Sequence, residues 1–193
     1  MNTSVKILYK FALFAIIAVL IFSAIWFYGF GKSDYLFSEA GILENMQNFA
    51  IAVSGLIFLF AFIKNRNKNK DMWITLFFVV LCYAFLCREV DFERLNLPEW
   101  SVILFHGKGR NISIAIAFSI IGVFALKDYK NYINKSKELV FSKRGAFLFI
   151  AAIALFAGGI FEHALDSEFF EELLELTGYS CLLTASYFTF NRK

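Results

Sequence analysis

The feature that most constrains this chain is a series of uninterrupted apolar runs, most of them slightly too short to cross a membrane alone. Crossing ~30 Å of hydrocarbon takes roughly 20 helical residues. No water is available there, so backbone N–H and C=O groups must pair within the segment, and such runs fold as helices. The run Phe11–Phe30 is long enough. The runs Phe49–Ile63, Met72–Leu86, Ile112–Leu126 and Ala146–Phe161 fall short and must each take in polar neighbours from one end. Those neighbours are Glu44 and Gln47; Arg88, Glu89 and Asp91; His106, Lys108 and Arg110; and Glu162, His163 and Asp166. A last run, Leu173–Phe190, carries Glu175 inside it and Glu171 and Glu172 at its mouth. Ionisable groups at membrane depth are costly, and they face a bundle interior or mark function. The pattern predicts a polar site at one end of a helix bundle.

Composition agrees. Of 193 residues, 59% are hydrophobic, and the mean hydropathy is +0.62. That excludes an ordinary soluble domain and predicts an all-α, polytopic transmembrane bundle forming a single domain, 1–193. The expected spans are 11–30, 42–64, 71–91, 109–127, 144–166 and 170–190. The first exceeds the ~7–15 residue core of a signal peptide and ends in Trp26-Phe27-Tyr28, an interfacial belt, so it reads as a retained helix. The stretch Asp91–Gly109 is the longest outer loop; its apolar Ser101–Phe105 suits a re-entrant or interfacial piece. The polar stretch Lys127–Lys143 is helix-compatible and is expected along the cytoplasmic surface. Gly158-Gly159 would permit a close helix–helix approach. Cys82, Cys87 and Cys181 sit in apolar runs without metal or redox spacing and read as packing residues.

The net charge is only +3, but its distribution gives an orientation. With the spans taken in order, 14 of the 19 Lys and Arg residues fall on the side holding both termini. Of the 16 acids, 13 fall on the other side. The positive-inside rule places both termini in the cytoplasm and the polar helix ends at the extracytoplasmic face. The basic loops serve as topology signals and anionic-lipid contacts; without a binding module they give no case for nucleic acid.

Five constellations carry the polar chemistry. In Glu39-x-Gly41-x-x-Glu44-x-x-Gln47, Glu44 and Gln47 share a helix face that Asn48 extends. In Arg88-Glu89-x-Asp91, an Arg drawn into a helix end needs a carboxylate, either as a structural clamp or to orient an acid of the site. His106-x-Lys108-x-Arg110 is a cationic cluster suited to an anionic head group or to neutralising the acids. In Glu162-His163-x-x-Asp166, a His with a carboxylate one turn away suits a general base or an oriented metal ligand. In Glu171-Glu172-x-x-Glu175, like charges on one turn repel, so protons, a cation or Arg must offset them.

The combination Glu-x-Gly-x-x-Glu-x-x-Gln, Arg-Glu-x-Asp and Glu-Glu-x-x-Glu-x-x-Gly resembles that of a group of small bacterial six-helix membrane proteins. The resemblance implies the six-span topology and a multi-pass place in a bacterial inner (plasma) membrane. The group has no assigned activity, so it implies no chemistry.

Three functions fit the residues. The first is a hydrolase or transferase dependent on a divalent cation and acting on a lipid or lipid-linked substrate. Glu44, Glu89, Asp91, Glu172 and Glu175 would hold Mg, Ca or Mn, since hard cations take oxygen ligands. His163, Glu162 and Glu175 would be catalytic, and His106, Lys108, Arg110, Gln47 and Arg88 would hold substrate. The second is a transporter or solute-capture subunit with an outward-open polar pocket. The third is an accessory protein whose charge network is structural and whose function lies in a partner membrane protein. No mid-span Lys is present, which argues against a Schiff-base pigment.

Overall fold

In a computed structural model, residues 41–65, 72–90, 92, 98, 102, 105–164 and 168–191 are described. The expected span Phe11–Phe30, the outer loop with Glu39, the basic residues 66–70, Asp91, most of the Asp91–Gly109 loop, Asp166 and the side chain of His163 lie outside these.

The described chain is all-helical, in the order α1 (Ile42–Asn65), α2 (Met72–Glu89), α3 (Gly107–Lys127), α4 (Tyr129–Val140), α5 (Lys143–Ala164) and α6 (Glu168–Phe190). Four of these, α1, α2, α3 and α5, are long and apolar enough to cross a membrane. Gln47 of α1 meets Glu172 of α6, Arg88 of α2 meets Glu175 of α6, Arg110 of α3 meets Cys87 O of α2, and Gly158 of α5 lies against Glu175, so the described polar helix ends of the sequence come together at one end of the bundle.

The sixth run does not reach that standard, yet α6 is the central helix. It packs most extensively on α5, then on α1. Leu176, Tyr179, Cys181, Leu182 and Ala185 are buried along it. Its polar character is masked internally: Thr177, Thr184 and Thr189 donate to the carbonyls of Leu173, Ser180 and Ala185, and Ser186 donates to Leu183 O. A hydroxyl bonded to the preceding turn leaves no donor unmatched, so the helix stays buried despite modest hydropathy. The core joins Ala50, Ile51 and Phe58 of α1 to Cys82 of α2 and Tyr179 and Leu182 of α6.

Close approach depends on small residues. A Cβ on Gly55 would lie 3.2 Å from Cys82 Cβ, bringing α1 against α2. On Gly178 it would lie 2.7 Å from Leu155 Cγ, and on Gly158 it would lie 3.1 Å from Glu175 Cγ, so both glycines bring α5 against α6. Gly159, by contrast, faces open space. Helix α3 is peripheral: Ile121 is its one buried residue, and Ile112, Ile116, Ile120 and Val123 form an exposed apolar stripe. Outward apolar faces of this kind match lipid rather than water.

Candidate functional site

The polar helix ends meet as two joined parts. The first is built on Glu175, two turns into α6 and only 2% exposed. Gly158 of α5 leaves room for its side chain. The guanidinium of Arg88, in the last turn of α2, donates through Nη2 to Glu175 Oε1 and sits 2.8 Å through Nε from Glu89 Oε1. Tyr179, fully buried one turn beyond Glu175, donates its hydroxyl to the same Glu89 oxygen at 2.8 Å. Its ring is held edge-on against Phe85, with centroids 5.6 Å apart. Arg88 thus bridges a carboxylate of its own helix and one of the central helix, and Tyr179 closes the loop. Half of the Arg88 side chain remains exposed (49%), so the cation reaches in from the rim.

The second part is Gln47 and Glu172. Gln47 sits in the second turn of α1 and has no exposed surface. Its Nε2 donates to Glu172 Oε2 at 2.7 Å and to the Glu172 backbone carbonyl at 3.0 Å. Rotating the amide would set an oxygen against two acceptors, so the assignment is chemically fixed. That leaves Gln47 Oε1 pointing elsewhere, and among the described residues it has no hydrogen-bond partner. Asn48 Oδ1 on the next residue is also buried and unpartnered among them. A buried acceptor without a donor costs about 1–3 kcal/mol, so these atoms call for a donor that is not among the described residues. Arg88 meets Glu89 and Glu175, and Glu171 and Glu172 stand one turn before Glu175 on α6, close enough to add their repulsion. The local balance is acidic, and the unmatched atoms are acceptors.

The remaining expected site residues are placed differently. Arg110 donates through Nη1 to Cys87 O at 3.0 Å and through Nε to Asn111 Oδ1 at 3.3 Å. It therefore caps the C-terminal turn of α2, where carbonyls lack intrahelical donors and a cation is favoured. Nearby, Ser113 donates to Arg110 O at 2.8 Å, so its oxygen accepts from Tyr83, 3.0 Å away, tying α2 to α3. His106 is the N-cap of α3 and exposed; Gly107 follows at φ 56°, a left-handed conformation that glycine adopts at no steric cost. Lys108 and Glu162 are exposed, and Glu44 and Glu171 are half-buried. Among the described residues no three His, Cys, Asp or Glu side chains are grouped closely enough to hold a metal ion. The three cysteines are free and buried, in keeping with packing roles.

Sequence reasoning did not single out Tyr179, although its i,i+4 spacing from Glu175 puts both on one face of α6. The network can hold helices together, present fixed acceptors and shield an acid from lipid. Nothing in it resembles an activated nucleophile. Comparison with protein-family models, with curated proteins and with solved structures gave no match for this chain.

Proposed function

We propose that this chain is a multi-pass membrane protein that captures or transports a small ligand bearing a cation or a hydrogen-bond donor. The ligand site is the Gln47–Glu172 side of the polar network; the Arg88–Glu89–Glu175–Tyr179 side is the clamp that fixes it. The observation that carries this reading is Gln47 itself. Its nitrogen is engaged twice by Glu172, and its buried oxygen, beside an acid-rich cluster, is unpartnered among the described residues. A ligand that donates hydrogen bonds or carries positive charge matches both the acceptor and the charge. With both termini in the cytoplasm, as the Lys and Arg distribution favours, this end of the bundle faces outward.

A divalent cation acting in a hydrolase or transferase on a lipid-linked substrate is the second reading. Its chemical basis is the oxygen chemistry of Glu89, Glu172, Glu175 and Gln47, whose carboxylates would have to draw closer together around the ion than they stand here.

Both readings are tested by thermal unfolding of purified protein in detergent, titrated with Mg²⁺, Ca²⁺, Mn²⁺ and a panel of small organic amines. A ligand at 100 times its Kd adds about 2.7 kcal/mol. At roughly 2–4 °C per kcal/mol, Tm should rise by about 5–11 °C. Glu172→Gln keeps an acceptor for Gln47 and removes the charge, so it should abolish the gain while remaining folded. A shift with an amine alone supports capture, and one with a divalent ion alone supports the metal reading. No shift with any probe, or a gain unchanged in Glu172→Gln, overturns the site.

A further inference from the structure

The far end of the bundle carries a second feature that the polar network does not use. Helix α4 is joined to α3 by Asp128 alone and to α5 by Phe141 and Ser142. Both flanking helices are membrane-span candidates, so these short joints hold α4 at the membrane–water boundary. Its sequence is amphipathic. Tyr129, Ile133 and Val140 lie along one face at helical spacing, Lys130 and Lys137 flank it, and Asn134, Lys135 and Glu138 lie opposite.

The apolar face is not buried. Ile133 and Val140 are exposed, Leu126 before the helix is 74% exposed and Phe141 after it is 89% exposed. With Ala125 and Tyr129 these side chains line an open groove of about 720 Å³ between the end of α3 and α4. The groove is bordered by predominantly positive charge. Residues 127–144 hold six Lys and Arg against two acids, and one acid, Glu138, is paired with Lys135 at 2.9 Å. Lys127 folds over the Phe124 ring at 5.2 Å, so its stem follows apolar surface while its ammonium stays at the rim.

We propose that this groove docks an anionic phospholipid: an acyl chain lies against Leu126, Ile133, Val140 and Phe141, and Lys130 and Lys137 meet the phosphate. Charge complementarity selects this occupant. A zwitterionic lipid would fill the groove without balancing the lysines. A protein partner would have to bury those lysines, which proteins deplete at interface cores. An interfacial helix with an apolar underside and basic flanks binds anionic bilayers through this combination of burial and attraction.

The test uses the full chain in vesicles, once of phosphatidylcholine alone and once with phosphatidylglycerol added. Spin-labelled forms of each lipid report which is held at the protein surface. Wild type should prefer phosphatidylglycerol at low salt, and 1 M NaCl should remove most of that preference. The exposed double variant Lys130→Gln/Lys137→Gln should weaken it by up to roughly fivefold per lysine. A nitroxide at Phe141→Cys should be reached by oxygen in the bilayer more than by a water-soluble nickel relaxant. A double variant that keeps the full preference overturns the proposal. So does a Phe141 label shielded from both relaxants, because a second copy or another protein would then cover the face.

Discussion

Removing Arg88 is the perturbation that the structure makes most quantitative. In Arg88→Met the guanidinium leaves, and Glu175, with 3% of its side chain exposed, loses its Arg88 partner. Breaking a fully buried ion pair costs about 3–5 kcal/mol, and an exposed pair contributes roughly 0.2–1 kcal/mol. Arg88 is half exposed and Glu175 is not, so the cost falls between these, about 2 kcal/mol after allowing for solvent at the cation. For a chain of 193 residues that corresponds to about 4–8 °C in Tm. The assay is thermal unfolding in mild detergent, followed by intrinsic fluorescence. The partner variant separates charge from packing. Glu175→Gln retains an acceptor for Arg88 and should cost less than Arg88→Met. In the double variant Arg88→Met/Glu175→Gln the Glu175 charge is no longer stranded and only Glu89 keeps a carboxylate without Arg88, so it should be more stable than Arg88→Met alone. An Arg88→Met protein with unchanged Tm, or a double variant less stable than the single, would refute the clamp.

Other positions give sharper yes-or-no outcomes. Tyr179→Phe keeps the ring against Phe85 but removes the donor to Glu89, and should cost about 1.5–3 kcal/mol in the same melt, as expected for a hydrogen bond to a charged group. Gly178→Ala forces a methyl into Leu155 and should cost about 1–3 kcal/mol, whereas Gly159→Ala, facing open space, should change Tm by less than a degree or two. Reporter fusions at Lys135 should read cytoplasmic and at Asn96 extracytoplasmic; the reverse would put the polar network on the inner face.

The span limits were legible because run length against membrane thickness leaves little freedom. Residues 42–64, 109–127 and 144–166 were expected, and the helices run Ile42–Asn65, Gly107–Lys127 and Lys143–Ala164. The polar strip 127–143 was legible as a surface helix for the same reason, lying between two spans. The centrality of α6 was not. Its Ser and Thr residues lower its hydropathy, and only their bonds to the preceding turn make it suitable for the middle of the bundle. Nor was the rotation of each helix legible. By spacing alone, Glu162 and Asp166, one turn apart, share a helix face as Glu172 and Glu175 do, yet Glu162 is exposed while Glu175 is buried. A spacing rule says which residues share a face and not which face turns inward. Arg110 was legible as a cation near the acids but not as a cap for α2, because its partner is a backbone carbonyl that sequence does not single out.

The central claim is that Gln47 and Glu172 form an acceptor site completed by a molecule other than the chain. The most direct measurement is a density map of the full-length protein in lipid, at a resolution that shows small ligands beside Gln47. Non-protein density is expected about 2.7–3.2 Å from Gln47 Oε1 and within reach of Glu172, reduced or lost in Glu172→Gln. A map in which a donor from the chain itself satisfies Gln47 Oε1, with no other density beside Glu172, would contradict it.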